Sequence, residues 1–255
     1  MISSALKARV RRVSVALGLY RPGAFSRLFD ASHAARFQQD VAFYRSLLPP
    51  DSLCFDVGAH VGEQTEAMLA SGARVVAFEP QPRCVAELTA RCQPHREHLR
   101  ICPSGVGATA GEATFFLSDN SVMSSFHEDW ADPSANLRVP ITTLDESIVR
   151  FGRPGYCKID VEGWEHEVLK GLSQPLPLVS FEFHPGEREV QIARECLDRL
   201  AQFGPLSINV TPAESTKFYF ERWQTLPEFL ALFPGHFRDR EGFHYGDIFV
   251  RTACP

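Results

Sequence analysis

The sequence has no C-x-x-C pair, no apolar run near the roughly 18 residues that span a bilayer, no excess of basic charge and no internal repeat or low-complexity tract. Each absence removes a class of protein. The seven cysteines are Cys54, Cys84, Cys92, Cys102, Cys157, Cys196 and Cys254, an odd number without paired spacing. A disulfide framework or structural zinc site is therefore not expected. Several lie in apolar runs, as in Leu53-Cys54-Phe55 and Tyr156-Cys157, where a free thiol behaves as a small hydrophobe. This points to a reducing compartment, hence the cytoplasm. A formal net charge of -5 and the lack of an N/D-P-P-Y/F motif argue against a nucleic-acid partner. No transmembrane segment is expected.

What is present is 255 residues of ordinary composition, 44% hydrophobic and 22% charged, enough for one α/β domain with additional elements. Residues 1–50 read as an N-terminal helical extension, with a break at Arg21-Pro22-Gly23 and a stop at Pro49-Pro50. Within it, Ile2, Leu6, Val10, Val13 and Leu17 share one helical face, beside Lys7, Arg9, Arg11 and Arg12. Residues 1–21 are either a helix lying on the domain or a basic helix making peripheral contact with anionic lipid. Residues 51–255 read as the main domain.

There, short apolar runs alternate with helical stretches. Strands are expected at 52–57, 74–78, 99–102, 156–161, 178–183, 206–210 and 247–251, and at 113–117 and 137–141 in an insertion. Helices are expected at 63–70, 83–92, 165–172 and 187–203. Such alternation implies a mostly parallel sheet with helices on both faces, and ligands bind such sheets beyond the strands' carboxyl ends. Attention therefore falls on 56–62, Glu79, Ser104, 160–163 and 182–185.

Asp56-Val57-Gly58-Ala59-His60-Val61-Gly62 turns a strand into a helix. Gly58 allows the sharp turn and Gly62 a close approach, either for packing or for a ligand at the helix N-terminus. The spacing is G-x-x-x-G, not the G-x-G-x-x-G of dinucleotide binders. Glu79 closes the next strand about twenty residues on, where an acid can accept both hydroxyls of a ribose; otherwise it is a solvated carboxylate or a cap before Pro80. Together these features indicate a nucleoside cofactor.

Thr143-Leu144-Asp145, then Lys158-Ile159-Asp160-Val161-Glu162-Gly163, Val168-Leu169-Lys170-Gly171 and Ser180-Phe181-Glu182-Phe183-His184-Pro185 complete the series. With D-V-G-A-x-x-G and A-F-E-P in this order, the chain resembles the FkbM family of S-adenosylmethionine (SAM)-dependent methyltransferases, over about residues 52–185. The resemblance implies a Rossmann-like class I methyltransferase fold with a seven-stranded sheet. It implies Asp56, Gly58 and Gly62 along the methionine part of SAM, Glu79 at the ribose, Pro103, Ser104 and Gly105 near the adenine, and Pro80 among the cofactor-binding residues. His60 stands where the family often has Asn, and reads as a turn residue.

The resemblance implies O-methylation of a sugar, glycan or secondary-metabolite hydroxyl, so the expected partner is a small-molecule or glycan acceptor. A cofactor-binding regulatory protein without catalysis and an NAD(P)-linked oxidoreductase are the competing readings. An alcohol needs a general base. The candidates are Asp160 and Glu162, then Glu182 and His184, with His184 best suited by intrinsic pKa. Each also has a structural role open to it: Glu182 as a buried partner of Lys158, Asp160 as a helix cap, Glu162 beside a helix N-terminus. Asp160, Glu182 and His184 also resemble an oxygen/nitrogen metal set, but strand-end carboxylates have commoner uses and no metal is expected. The polar stretch 118–133, with Met123, Phe126 and Trp130, reads as a lid or an ordinary loop. Tyr219, Phe220, Trp223, His244 and Tyr245 could stack on a sugar, with core packing the commoner use.

Overall fold

The computed structural model describes residues 31–117, 125–126, 136–213, 215–238 and 245–252. The helix expected over 1–21, and Met123, Trp130, His127, His244 and Cys254, lie outside the described residues. In chain order the elements are α1 (Ala31–Leu47), β1 (Leu53–Val57), α2 (Glu63–Ser71), β2 (Arg74–Phe78), α3 (Pro82–Cys92), a 3-10 turn (Gln93–His98), β3 (Leu99–Cys102), β4 (Gly105–Val106), β5 (Gly111–Phe116) and β6 (Asn136–Thr142). There follow α4 (Leu144–Phe151), β7 (Tyr156–Ile159), α5 (Glu165–Lys170), β8 (Leu178–Phe183), α6 (Glu187–Ala201), β9 (Leu206–Pro212), β10 (Gln224–Thr225), α7 (Leu226–Leu232), α8 (Gly235–Arg238) and β11 (Gly246–Thr252).

The main sheet runs β10-β9-β11-β8-β7-β1-β2-β3. β3, β2, β1, β7 and β8 pair in parallel, and β11 inserts antiparallel between β8 and β9. This is the expected Rossmann-like α/β sheet with one correction. It has eight strands rather than seven, because the two-residue β10 adds to the edge beyond β9. The insertion strands β5 and β6 stand apart from it and pair with β4 in a separate three-stranded sheet.

Both faces of the main sheet are buried, which is why its strands read as unbroken apolar runs. Phe55, Val57, Cys157, Ile159, Val179 and Phe181 face one core. Cys54, Val75, Ala77, Tyr156 and Phe249 face the other, which α1 closes with Val41 and Tyr44, joined by Leu48 just past its end. Among the described residues six cysteines form no disulfide, five of them buried; burial pushes the Cys54 and Cys92 thiols up to about 12, so they are inert. Among the described residues no helix is long and apolar enough to cross a membrane.

Periodicity does not reveal three helices, α4, α7 and the four-residue α8. The first two begin at capping boxes, Thr143 with Glu146 and Thr225 with Glu228. The T-x-x-E spacing was therefore their sequence signal.

The chain runs β1, β2, β3 outward and then returns to lay β7 on the other side of β1. The switch point thus falls between β1 and β7, and the turns after both strands meet there.

Candidate functional site

The turn after β1 is built from left-handed backbone. Gly58, His60 and Gly62 have φ of 83°, 48° and 80°. A Cβ on Gly58 would overlap the Asp160 carbonyl oxygen, so glycine lets the β1 turn touch the end of β7. A Cβ on Gly62 would stand 2.9 Å from Leu88 Cγ, so this glycine serves the approach of α2 to α3. His60 belongs to the turn: histidine tolerates positive φ, as asparagine does. Its backbone N–H donates to Glu79 Oε2 at 2.8 Å, and the Gln81 N–H donates to Glu79 Oε1 at 2.8 Å. Glu79 is 3% exposed; burial pushes its carboxyl up to about 7 against these two donors.

β7 ends in a second charged assembly. Lys158 is buried, and its Nζ lies 2.7 Å from Asp160 Oδ2. Burial opposes its charge, but Asp160, Asp247 and Asp56 around it outweigh that, so it stays an ammonium with a raised pKa. The expected partner of Lys158, Glu182, instead approaches His184, with Oε2 to Nε2 at 3.4 Å. The loop after Asp160 is held from beneath by Glu165. Its Oε1 accepts from Val161 N at 3.1 Å and Gly163 N at 3.2 Å, which fixes Glu162 at φ 53°. Burial, then Glu182 and Asp160, push Glu162 up to about 8; burial pushes Glu165 up to about 7. Asp160, Glu162 and Glu182 each offer an oxygen within 4.8 Å of the others.

Two cavities open at the switch point. The first, of about 160 Å³, is a crevice lined by Gly58, Phe78, Glu79, Pro80, Ser104 and Gly105, among others, and walled by Phe115 and Phe126. The second, of about 330 Å³, lies over the sheet face beneath α1 and includes Asp56, Tyr245 and Asp247. Gly58, His60, Asp160 and Glu182 line both.

Of the residues singled out from sequence, Gly58, Glu79, Pro80 and Ser104 line the crevice. Asp56 does not. It sits inside β1, where alternation turns its side chain under the second cavity. Gly62 lines neither. His184 lines neither, but a small third cavity with Glu162 and Glu189. The Glu182 hydrogen bond raises its pKa against partial desolvation, so it is an imidazolium more readily than a base. Sequence reading missed Arg36, Gln81, Phe115, Thr211 and Asp247. None belongs to a motif, and only Asp247's place at a strand start hinted at it.

Two motifs prove to be packing devices. The Asp145 N–H donates to the Gly171 carbonyl at 3.0 Å and Asp145 Oδ1 accepts from Ser173 N at 2.9 Å, so T-L-D and V-L-K-G bind each other. Of the aromatic candidates, Trp223 packs on Phe218 under Arg251, and Tyr219 and Phe220 pack around Phe237. Tyr245 alone among those described reaches a cavity, stacked on His184 at 5.4 Å between centroids.

Glu79, Glu165 and Asp247 are pushed up to about 7 and Glu162 to about 8, with burial the first cause in each. The fold thus favours their neutral forms. That contribution is complete below the ordinary carboxylate range and is lost as pH rises through 7 to 8. The ligand-free protein is expected to melt at a lower temperature at pH 8.5 than at pH 5.5. Scanning fluorimetry checks this; a flat or rising profile contradicts it.

The family model of the methyltransferase FkbM domain matches residues 56–224. The hexuronic acid methyltransferase AglP of Haloferax volcanii is 31% identical over 143 residues, covering 53% of this chain and 57% of that protein. The chain thus spans little more than half the length of this curated relative. Among solved structures, a SAM-dependent O-methyltransferase of Thermotoga maritima is 13% identical, with 85% of this chain and 65% of that one covered at a TM-score of 0.45. Fibrillarin of Aeropyrum pernix with bound SAM is 10% identical, with 79% and 66% covered at 0.45.

Proposed function

Because this chain belongs to the methyltransferase FkbM family, matched across the switch-point turns themselves, we propose that it transfers a methyl group from SAM to a hydroxyl of a sugar or glycan. One observation carries this reading: a crevice with a strand-end acid for a ribose joins a polar second cavity, and Asp160 and Glu182 line the junction. A relative acting on a hexuronic acid supports a sugar as the acceptor class. The lack of a disulfide among the described residues supports a cytoplasmic setting. Residues 51–255 form the methyltransferase domain in this reading, with 1–50 as its helical extension.

The residues present fit SAM. Glu79, already holding two N–H groups on one side, has lone pairs left for a ribose diol. Pro80, Ser104 and the rings of Phe115 and Phe126 supply the flatter, less polar part of the crevice. Asp160 and Glu182 suit a cationic sulfonium by charge, and Glu162 beside them offers a further oxygen. Asp56 and Gly62 act through the frame in this reading: Asp56 accepts the Thr65 hydroxyl at 2.5 Å and ties β1 to α2, and Gly62 seats α2 on α3.

When bound, SAM supplies an electrophilic methyl group. The protein's part is alignment and proton removal. Asp160, paired with Lys158 at 2.7 Å, and Glu182 are placed to orient the acceptor hydroxyl and take its proton. His184 is a positioning residue that orients Glu182. Glu165 positions the loop that carries Asp160 and Glu162. Calorimetric titration with S-adenosylhomocysteine, and with NADH in parallel, tests the cofactor. Micromolar binding of the first alone is expected; binding of NADH alone overturns the reading.

A further inference from the structure

The larger cavity carries information about the acceptor that the cofactor crevice does not. Its floor is set by register. Lys158 of β7 pairs with Asp56 of β1 and Ser180 of β8, and Glu182 of β8 pairs with Asp247 of β11. Alternation then turns Asp56, Lys158, Glu182 and Asp247 to one face of the sheet. Across from them α1 lowers Arg36 and Asp40. The half-buried Tyr245 gives one wall an aromatic surface, which suits the C–H side of a sugar ring.

One atom of this floor lacks a partner. Asp56 is 1% exposed; its Oδ2 accepts from Thr65, but its Oδ1 has no hydrogen bond. A buried acceptor left alone is costly, and an occupant that donates would satisfy it.

The charge balance narrows the occupant. Six carboxyl groups line the cavity (Asp40, Asp56, Glu63, Asp160, Glu182 and Asp247) against two side-chain cations, Arg36 and Lys158; burial moves Asp40, Asp56 and Asp247 toward their neutral forms, and the remaining three acids still outnumber the two cations. Both cations are engaged by acids of the cavity itself: Arg36 Nε with Asp40 at 3.2 Å, Lys158 Nζ with Asp160 at 2.7 Å. An anionic acceptor would bring another negative charge into this surplus, and like charges at contact range repel strongly. Hydroxyl groups donate to carboxylates, each of which accepts several hydrogen bonds.

We infer that this cavity is the acceptor site and that it takes a hydroxyl-rich ring without negative charge, a neutral sugar rather than a uronate. The inference rests on the methyltransferase reading above and chooses among its acceptors. Asp247, Asp56 and Glu182 accept from the ring hydroxyls, and Asp40 keeps Arg36 from serving as a carboxylate receptor.

The test uses the full chain saturated with S-adenosylhomocysteine. Methyl α-mannoside, methyl β-glucoside and methyl β-glucuronide are titrated by saturation-transfer NMR. At least one neutral glycoside should bind about tenfold or more tighter than the glucuronide. Asp247→Asn should weaken that binding about fivefold or more, with S-adenosylhomocysteine affinity within about twofold. Asp40→Asn, which removes an acid from Arg36, should shift preference toward the glucuronide. Equal or tighter binding of glucuronide to the unaltered protein overturns the inference, as does the absence of neutral-glycoside binding up to about 50 mM. If S-adenosylhomocysteine itself fails to bind, the methyltransferase reading fails instead, and glycoside selectivity is then read on the ligand-free protein.

Discussion

Glu79→Ala is expected to weaken S-adenosylhomocysteine binding roughly 100-fold or more, because hydrogen bonds to a charged group contribute about 1.5–3 kcal/mol each and a ribose diol makes two. The geometry is prepared before any ligand arrives. Two backbone N–H groups, from His60 and Gln81, hold the carboxylate at 2.8 Å each, so little ordering remains to be done on binding. Alanine removes the acceptor and also leaves the turn after β1 without its anchor. Glu79→Gln keeps the shape and loses the charge, and an intermediate affinity is expected for it. Since burial pushes Glu79 up to about 7, affinity of the unaltered protein should rise between pH 6 and pH 8, on the order of tenfold, as the carboxylate forms. The glutamine variant should lose most of that slope. Calorimetry at both pH values reads all three; affinities within threefold of the unaltered protein for both variants would sink the ribose assignment.

The second large effect is on turnover. Asp160→Asn should lower methyl transfer by about 10²- to 10⁴-fold, the usual worth of a positioned general base, while cofactor affinity changes by less than about fivefold. Asparagine preserves the side-chain shape and its reach to Lys158. The ammonium is not orphaned, because Asp56 and Asp247 still surround it, so the fold should survive a change that in other settings would strand a buried charge. His184→Ala supplies the contrast. His184 lines neither large cavity and meets the junction only through Glu182 at 3.4 Å, so a loss of about fivefold or less is expected. Single-turnover assays with labelled methyl donor decide it. A collapse of turnover in His184→Ala with Asp160→Asn near normal would move the base to the histidine.

Much of this was legible in the chain before folding was considered. Strand-forming runs such as residues 52–57 and 178–183 are bounded by glycine, proline and acids, because a parallel strand buried on both faces must be apolar until it reaches solvent. The same constraint puts polar residues just past each run, which is why Gly58, Glu79, Ser104, Asp160 and Glu182 stood out and why all five line the crevice. These are local properties of short segments, and local pattern suffices to find them.

Tertiary structure decided the rest. Asp56 looked like its neighbours in the motif, but depth within β1 sends it under the second cavity. Lys158 looked free for Glu182, yet the end of β7 turns Asp160 to it first. T-L-D and V-L-K-G stand apart in the sequence as pieces of the family pattern, and the fold joins them as a clasp. Most of all, Arg36, Lys158 and Asp247 come together from a helix ahead of the sheet, a central strand and its last strand. No periodicity connects such distant segments. Their meeting depends on strand order and register, which are set by how the whole core closes, and so the residues that choose the acceptor appear only in the folded molecule.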